Sequence, residues 1–121
     1  MDEKTTVAQI KEWVHKMRTD REWVNTPRSL AISVVLEAGE LLEHFQWSDA
    51  KMEEINREEV ESEVADVLIY LSEFASETGI DLVSALKKKL KKIDEKYPAD
   101  KIKKLGGKFY YAQKRKYRGG V

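Results

Sequence analysis

Two stretches of this sequence, residues 30–45 and 60–75, repeat their apolar residues every three or four positions. That spacing places the apolar side chains on one arc of an α-helix and does not fit the alternation of a half-buried strand. The sequence therefore predicts an all-α fold in which two amphipathic helices pack through matching faces. The predicted core residues are Leu30, Ala31, Val34, Val35, Ala38, Leu41, Leu42 and Phe45 in the first stretch and Val60, Val64, Val67, Leu68, Leu71, Phe74 and Ala75 in the second.

Capping residues and prolines predict where each helix of a four-helix bundle begins and ends. Thr6 with Gln9 forms a capping box, Pro27 is suited to a first helical position, and Gly79 suits a helix stop. Trp13 has the periodicity of a core residue in the first helix. The predicted helices run from Val7 to about Thr19, from Pro27 to about Trp47, from the cap Asn56 to about Thr78, and from the cap Asp81 to just before Pro98.

The C-terminal part of the chain is expected to be less regular. A short turn is predicted at 99–105, and little regular structure is expected after Gly106 and Gly107. The folded domain is expected to span residues 1–105, followed by a basic C-terminal tail over residues 106–121.

Composition narrows the class of protein. The 121 residues suffice for one domain, and a charged fraction of 36% with only two prolines suits a helical protein. The absence of cysteine excludes disulfides. No apolar run is long enough to span a bilayer, and residues 1–6 are too polar for a signal peptide. A soluble cytoplasmic protein without a membrane partner is the expectation.

Charge is distributed unevenly along the chain. Residues 1–86 contain 8 Lys and Arg against 19 Asp and Glu, whereas residues 87–121 contain 14 against 3. One interpretation is a solvated basic helix with a loose tail. The other is that the basic end meets an anion, either the acidic body of the protein or a phosphate ligand. Because the formal net charge is zero, no nucleic-acid partner is expected, and a nucleic-acid binder acting through residues 87–118 is the third-ranked alternative.

Two pairs of carboxylates flank the predicted core stripes. Glu37 and Glu40 lie at one edge of the first stripe, and Glu63 and Asp66 lie at the same edge of the second. If the two helices are antiparallel neighbours, both pairs fall within about 2 Å of the same height. Four carboxylates at one place repel each other, and no neighbouring cation in the sequence offsets them. The pattern predicts a site for a hard cation, Mg²⁺ or alternatively Mn²⁺.

The competing interpretation is that these carboxylates form a solvated acidic face on a non-catalytic helical interaction module. A di-iron site of the ferritin type is not favoured, because it needs Glu-x-x-His pairs and His15 and His44 do not have that spacing. His44 is expected to be a surface group or a group behind the metal ligands.

Aromatic and basic residues near the carboxylates are candidates for binding a substrate. Trp23 precedes the second helix and Trp47 ends it, so each can cap the core or stack on a nucleobase. Tyr70 lies one turn after Asp66 on the same edge of its helix. Arg28 and the C-terminal lysines are candidates for stabilising phosphate charge, in this chain or from a neighbouring subunit.

The runs REWVNTPRSLAISVVLEAGELLEHFQW, EVADVLIYLSE, DLVSALKKKL and KYP resemble the MazG-like all-α NTP pyrophosphohydrolases, and within them the dCTP pyrophosphatase branch. The resemblance covers about residues 6–98. The family signature, ExxE followed by ExxD, reads here Glu37-Ala-Gly-Glu40 and Glu63-Val-Ala-Asp66.

This resemblance implies Mg²⁺-dependent hydrolysis of a nucleoside triphosphate to the monophosphate and pyrophosphate, with Mg²⁺ on the four carboxylates and one glutamate activating water. It implies that Trp23 and Trp47 flank the base and that Tyr70 contacts the nucleotide. It also implies a homodimer or homotetramer with composite sites, which agrees with Ile32 and Leu36, apolar residues outside the main arc of their helix.

The dCTP branch differs from this chain near the base pocket. It has histidines where this chain has Val14, next to His15, and Asn25. Asn25 is therefore included among the predicted substrate-binding residues. The candidate substrates are dCTP and modified pyrimidine dNTPs, as for an enzyme that cleans the nucleotide pool, and a strict preference for dCTP is not expected.

Overall fold

The computed structural model describes residues 1–47 and 49–119. These residues contain five α-helices and no strand, which confirms the predicted all-α class. No helix among them is long and apolar enough to cross a membrane. The helices belong to two compact units, the first Met1–Ile80 and the second beginning at Asp81. They are α1 (Val7–Thr19), α2 (Pro27–Glu43) and α3 (Arg57–Thr78) in the first unit and α4 (Leu82–Lys96) and α5 (Ala99–Gly119) in the second.

The helix N-termini form where the caps predict them. Thr6 Oγ1 accepts a hydrogen bond from the Gln9 N–H at 3.2 Å, and Gln9 Oε1 accepts one from the Thr6 N–H at 2.8 Å. Thr26, Asn56 and Asp81 cap α2, α3 and α4 in the same way, each with its side-chain oxygen on the N–H three residues later. These bonds satisfy backbone donors that the first turn of a helix leaves free.

The end of α2 was predicted incorrectly. The helix ends at Glu43 rather than at Trp47, and residues 44–47 form turns. The Phe45 N–H bonds at 2.9 Å to the carbonyl of Leu42, three residues back, so the chain tightens where an α-helix would bond four residues back. The last turn of α2 also lacks a basic residue that would offset the negative end of the helix dipole. The loop that follows contains a 3₁₀ turn at Met52–Glu54.

The prediction of little regular structure after Gly106 was also wrong for the described residues. The segment from Ala99 continues as α5 to Gly119, and only Gly106, with φ 61° and ψ −145°, leaves the helical conformation. Contacts with the end of α4 explain the order. The Tyr110 ring stacks on that of Tyr97 with centroids 5.0 Å apart, and Gln113 donates a 2.7 Å hydrogen bond to the Lys96 carbonyl. Residues 120 and 121 of the predicted tail lie outside the described residues.

In the first unit α3 packs against both α1 and α2. Val14, Leu30, Val60 and Ala75 are buried at the contacts between these helices. Trp13 was predicted to be a core residue, but its side chain is 56% exposed, because the buried face of α1 is centred on its neighbour Val14.

Much of the predicted core arc on α2 and α3 is likewise exposed. Each arc is wider than the strip that one neighbouring helix covers. The members that remain exposed are Ala31, Val35, Ala38, Leu42, Val64, Leu68 and Leu71.

Gly79 provides a test of how α3 ends. It closes the helix in the left-handed conformation with φ 70°, and a Cβ there would meet no atom within 4 Å. We expect Gly79→Ala to lower the free energy of unfolding by about 1 kcal/mol through backbone strain alone. Gly79→Asn should lower it less, since asparagine tolerates this conformation. Urea unfolding of the two variants measures the difference, and an Ala variant as stable as the parent would contradict the explanation.

Candidate metal centre

Three carboxylates from two helices converge on one side of the α2–α3 contact. Glu37 and Glu40 are one turn apart on α2, and Asp66 faces them from α3. Each offers a carboxylate oxygen, and these three oxygens all lie within 4.8 Å of one another. Glu37 and Asp66 are partly buried, whereas Glu40 is exposed. The spacing and the oxygen-only donor set fit a divalent cation.

The electrostatics of the triad (Glu37, Glu40 and Asp66) also favour a bound cation. Burial raises the pKa of the Glu37 carboxyl above its ordinary value, and the neighbouring Glu40, Asp66 and Glu63 carboxylates raise it further. Oε2 of Glu37 is buried and has no hydrogen-bond partner among the described residues. A buried acceptor without a donor is unfavourable, and a bound cation would supply the missing interaction.

Glu63, the fourth predicted ligand, does not join the triad. Its Oε2 lies 2.5 Å from Nε2 of His44, and both side chains are largely buried. The two atoms do not make a hydrogen bond of favourable geometry, but the imidazole of His44 packs directly against this buried oxygen. His44 pairs with Glu63, whereas the earlier residues Glu37 and Glu40 lie beside the later residue Asp66. The helices α2 and α3 therefore run antiparallel.

A pocket of about 470 Å³ is lined by residues of α3 and of the end of α1. Tyr70, which lines it, is one helical turn beyond Asp66 on α3. The other lining residues come from the last turn of α1 and the loop after it. They are Arg18, Glu22, Trp23, Val24 and Asn25. The structure thus brings together three predicted substrate-binding residues, Trp23, Asn25 and Tyr70.

The end of α1 sets the position of Trp23. The Trp23 N–H bonds to the Arg18 carbonyl and the Glu22 N–H to the Thr19 carbonyl, both at 3.0 Å. This is a Schellman motif, in which the residue at the position of Glu22 adopts the left-handed conformation. Glu22 has φ 54°, a strained value for a residue other than glycine. The Arg21 guanidinium lies 5.7 Å from the Trp23 ring centroid and packs over the indole.

The sequence matches the MazG-like family over residues 32–110. The chain belongs to the MazG-like family. It is 34% identical to dCTP pyrophosphatase 1 of Rattus norvegicus over 101 residues, which are 77% of this chain and 59% of the rat protein. It is 32% identical to dCTP pyrophosphatase 1 of Homo sapiens over 102 residues, 78% of this chain and 60% of the human protein. The chain therefore spans about three fifths of the length of these relatives.

The fold is also similar to a solved structure. The crystal structure of a pyrophosphatase from Archaeoglobus fulgidus superimposes with a TM-score of 0.68 at 38% sequence identity. The match covers 75% of this chain and 91% of the archaeal one. The family and the fold that the sequence predicted are therefore confirmed.

Two predicted substrate-binding residues lie away from the pocket of this MazG-like chain. Trp47 follows α2 with its side chain 89% exposed and does not line the pocket. Arg28 lies at the start of α2 and lines a separate apolar groove of about 370 Å³, the α2 groove, which is lined by Arg28, Ala31, Ile32, Val35 and Leu36.

The sequence reasoning missed Arg18. This residue is only 3% exposed, yet it carries a charge and lines the pocket. A signal was present, since Arg18 follows the buried Val14 by four positions and therefore lies on the buried stripe of α1. A charged residue on such a stripe needs a partner or a function.

The triad can be tested by thermal unfolding with and without Mg²⁺. At about 100 times its dissociation constant, Mg²⁺ should raise the melting temperature at pH 8 by roughly 10 °C, and EDTA should reverse the shift. Without metal, the raised pKa of Glu37 favours the folded state at acid pH. This contribution to the free energy of unfolding is lost as the pH rises through that pKa. The titration of Glu37 should therefore make the metal-free protein less stable at pH 8 than at pH 5.

Glu37→Gln should remove most of the Mg²⁺ shift and make the metal-free protein less sensitive to pH. Glu77→Gln is the control, an exposed acid on α3 outside the triad. A Glu37→Gln variant that keeps the full Mg²⁺ shift would exclude the triad as the metal site.

Proposed function

We propose that this protein hydrolyses a nucleoside or deoxynucleoside triphosphate to the monophosphate and pyrophosphate, with Mg²⁺ as cofactor and Mn²⁺ as the alternative ion. The candidate substrates are dCTP and modified pyrimidine dNTPs. The observation that carries the proposal is the triad of Glu37, Glu40 and Asp66, with Tyr70 of the aromatic pocket one helical turn beyond Asp66 on α3. The similarity to dCTP pyrophosphatases supports the reaction class. The cytoplasmic location predicted from the sequence is part of this proposal.

The proposed side-chain roles are of two kinds, holding the metal ion and accepting a proton from the attacking water. Mg²⁺ held by carboxylates polarises a phosphoryl group and lowers the pKa of a bound water. Glu37, Glu40 and Asp66 would hold the ion. Glu63 is outside the triad and lies about one helical turn before Asp66 on α3, so we assign its carboxylate the role of accepting the proton of the water that attacks the α-phosphorus. His44 would hold Glu63 in place.

The pocket would bind the nucleoside part of the substrate. The rings of Trp23 and Tyr70 offer surfaces for stacking on a base, and the amide of Asn25 offers both a donor and an acceptor. In this proposal Arg28 and Trp47, which lie elsewhere, contact a nucleotide bound to a neighbouring copy of the chain.

The alternative of a solvated acidic face on a non-catalytic module is less well supported. A solvated face would expose its carboxylates to water. Instead Oε2 of Glu37 is buried with no hydrogen-bond donor among the described residues, Oε2 of Glu63 is buried against the imidazole of His44, and the pKa of Glu37 is raised.

We expect Asp66→Asn to abolish Mg²⁺-dependent pyrophosphate release while the helical circular dichroism spectrum stays unchanged. The amide keeps the shape of the side chain and removes the charge that holds the cation. Glu63→Gln should cause a similar loss of turnover, because the amide cannot accept the proton. Pyrophosphate released from a panel of NTPs and dNTPs is the measurement, with Glu77→Gln as the control on α3. Full activity in Asp66→Asn would overturn the assignment.

We further propose that the protein is a homodimer or homotetramer. The α2 groove is apolar and open, with Val35 70% exposed and Leu36 63% exposed. Exposed apolar surface of this kind is typical of association sites. Residues 1–105 would form the enzymatic domain, and the basic segment after Gly106 would be a separate appendage.

Leu36→Glu should shift the protein towards monomers, since it places a charge in the α2 groove. Light scattering coupled to size-exclusion chromatography measures the mass. Gln46→Glu adds the same charge at an exposed position outside the groove and should leave the mass unchanged. If the parent protein is already monomeric at micromolar concentration, the oligomer proposal fails.

A further inference from the structure

Arg18 is a buried cation whose hydrogen-bonding capacity is not used. Its side chain is 4% exposed, and Nε and Nη2 are both buried without a hydrogen-bond partner among the described residues. Guanidinium donors removed from water are unfavourable unless they are paired. The protein nevertheless holds this arginine on the buried stripe of α1, at the wall of the pocket.

Glu73 balances the charge of Arg18 but does not use its donors. Glu73 is 3% exposed, and its Oε1 lies 3.8 Å from Arg18 Nε, close enough for an ion pair and too far for a hydrogen bond. Nδ1 of His15 lies 3.5 Å from the same oxygen. The pair of Arg18 and Glu73 is therefore neutral overall, and the guanidinium keeps free donors.

The surroundings of Arg18 indicate which ligand it suits. Guanidinium has only donors, so the atom it binds must be an acceptor. Because Glu73 already neutralises the charge, the pair attracts a phosphate less than a free arginine would. The guanidinium carbon also lies over the Tyr70 ring, 5.9 Å from its centroid, and both side chains line the same pocket. A neutral acceptor on a flat ring bound in this pocket fits these three features.

We propose that Arg18 is a specificity-determining residue that donates hydrogen bonds to a carbonyl oxygen of the nucleobase. The inference rests on the proposed function, since it concerns the base of the same nucleotide. The class of base is one that bears a ring carbonyl, as cytosine, uracil, thymine and guanine do. Adenine, which has none, would leave these donors unpaired and should be the disfavoured base.

The experiment compares the parent protein with a double variant. Arg18→Met combined with Glu73→Gln removes both charges of the buried pair, so neither protein contains an unpaired buried charge and the net charge at the pocket is the same in both. Glu73→Gln alone is the control for the loss of the acid. Isothermal titration calorimetry then measures the binding of dCMP, dUMP, dGMP and dAMP, with deoxyribose 5-phosphate as the ligand without a base.

We expect the double variant to bind the tightest of the three carbonyl-bearing nucleotides about tenfold more weakly or worse, which is the usual discrimination of an arginine–base contact. Its affinity for dAMP and for deoxyribose 5-phosphate should not change. An equal loss for all ligands would mean that Arg18 contacts phosphate, and no loss for any ligand would mean that it is structural. Either result overturns the proposal.

Two further measurements make the outcome decisive. Arg18→Lys keeps the charge and loses the fork of donors, so it should show the same selective loss if the double variant does not fold. Pyrophosphate release is measured separately on the parent protein. Absence of turnover with every nucleotide would overturn the proposed function, whereas the binding series would still decide the role of Arg18.

Discussion

Repulsion among carboxylates is the constraint on which the rest of this structure depends. Glu37, Glu40 and Asp66 are carried by two helices that pack against each other, so their backbone positions keep the three carboxylates close together. Burial raises the pKa of the Glu37 carboxyl, and the neighbouring carboxylates raise it further. Helix packing therefore stores an unfavourable charge arrangement that a divalent cation relieves. A site built in this way couples the binding of metal to the stability of the α2–α3 hairpin.

The small core of the first unit follows from the same arrangement. The helix α3 packs against both α1 and α2. Wide parts of the apolar arcs, including Val35 and Leu68, remain exposed to solvent. Association of copies would cover such surface and would support the helices that carry the triad. In that case the metal site and the oligomer would depend on each other, and substitutions in the α2 groove would affect activity without touching the ligands.

The sequence predicted what short-range chemistry decides. Helix starts at capping residues follow from hydrogen bonds over three residues, and the end of α3 follows from Gly79. The proximity of Glu37, Glu40 and Asp66 follows from helical spacing. The pairing of Glu63 with His44 was not predicted, because it depends on side-chain conformations at the helix contact and not on helical spacing alone. Arg18 was missed because its environment is formed by α3, which is distant in the sequence. The helix α5 was missed because contacts with α4 order it.

In the Schellman motif at the end of α1, one residue has two structural roles. Glu22 terminates the helix in a conformation that glycine would adopt more easily, and its side chain also lines the pocket. The position and direction of Trp23 are therefore properties of a helix terminus rather than of a free loop. An insertion or deletion between α1 and Trp23 would change both at once. New substrate preferences in this scaffold would accordingly arise by exchanging side chains on a fixed frame, more readily than by changing the length of the connection.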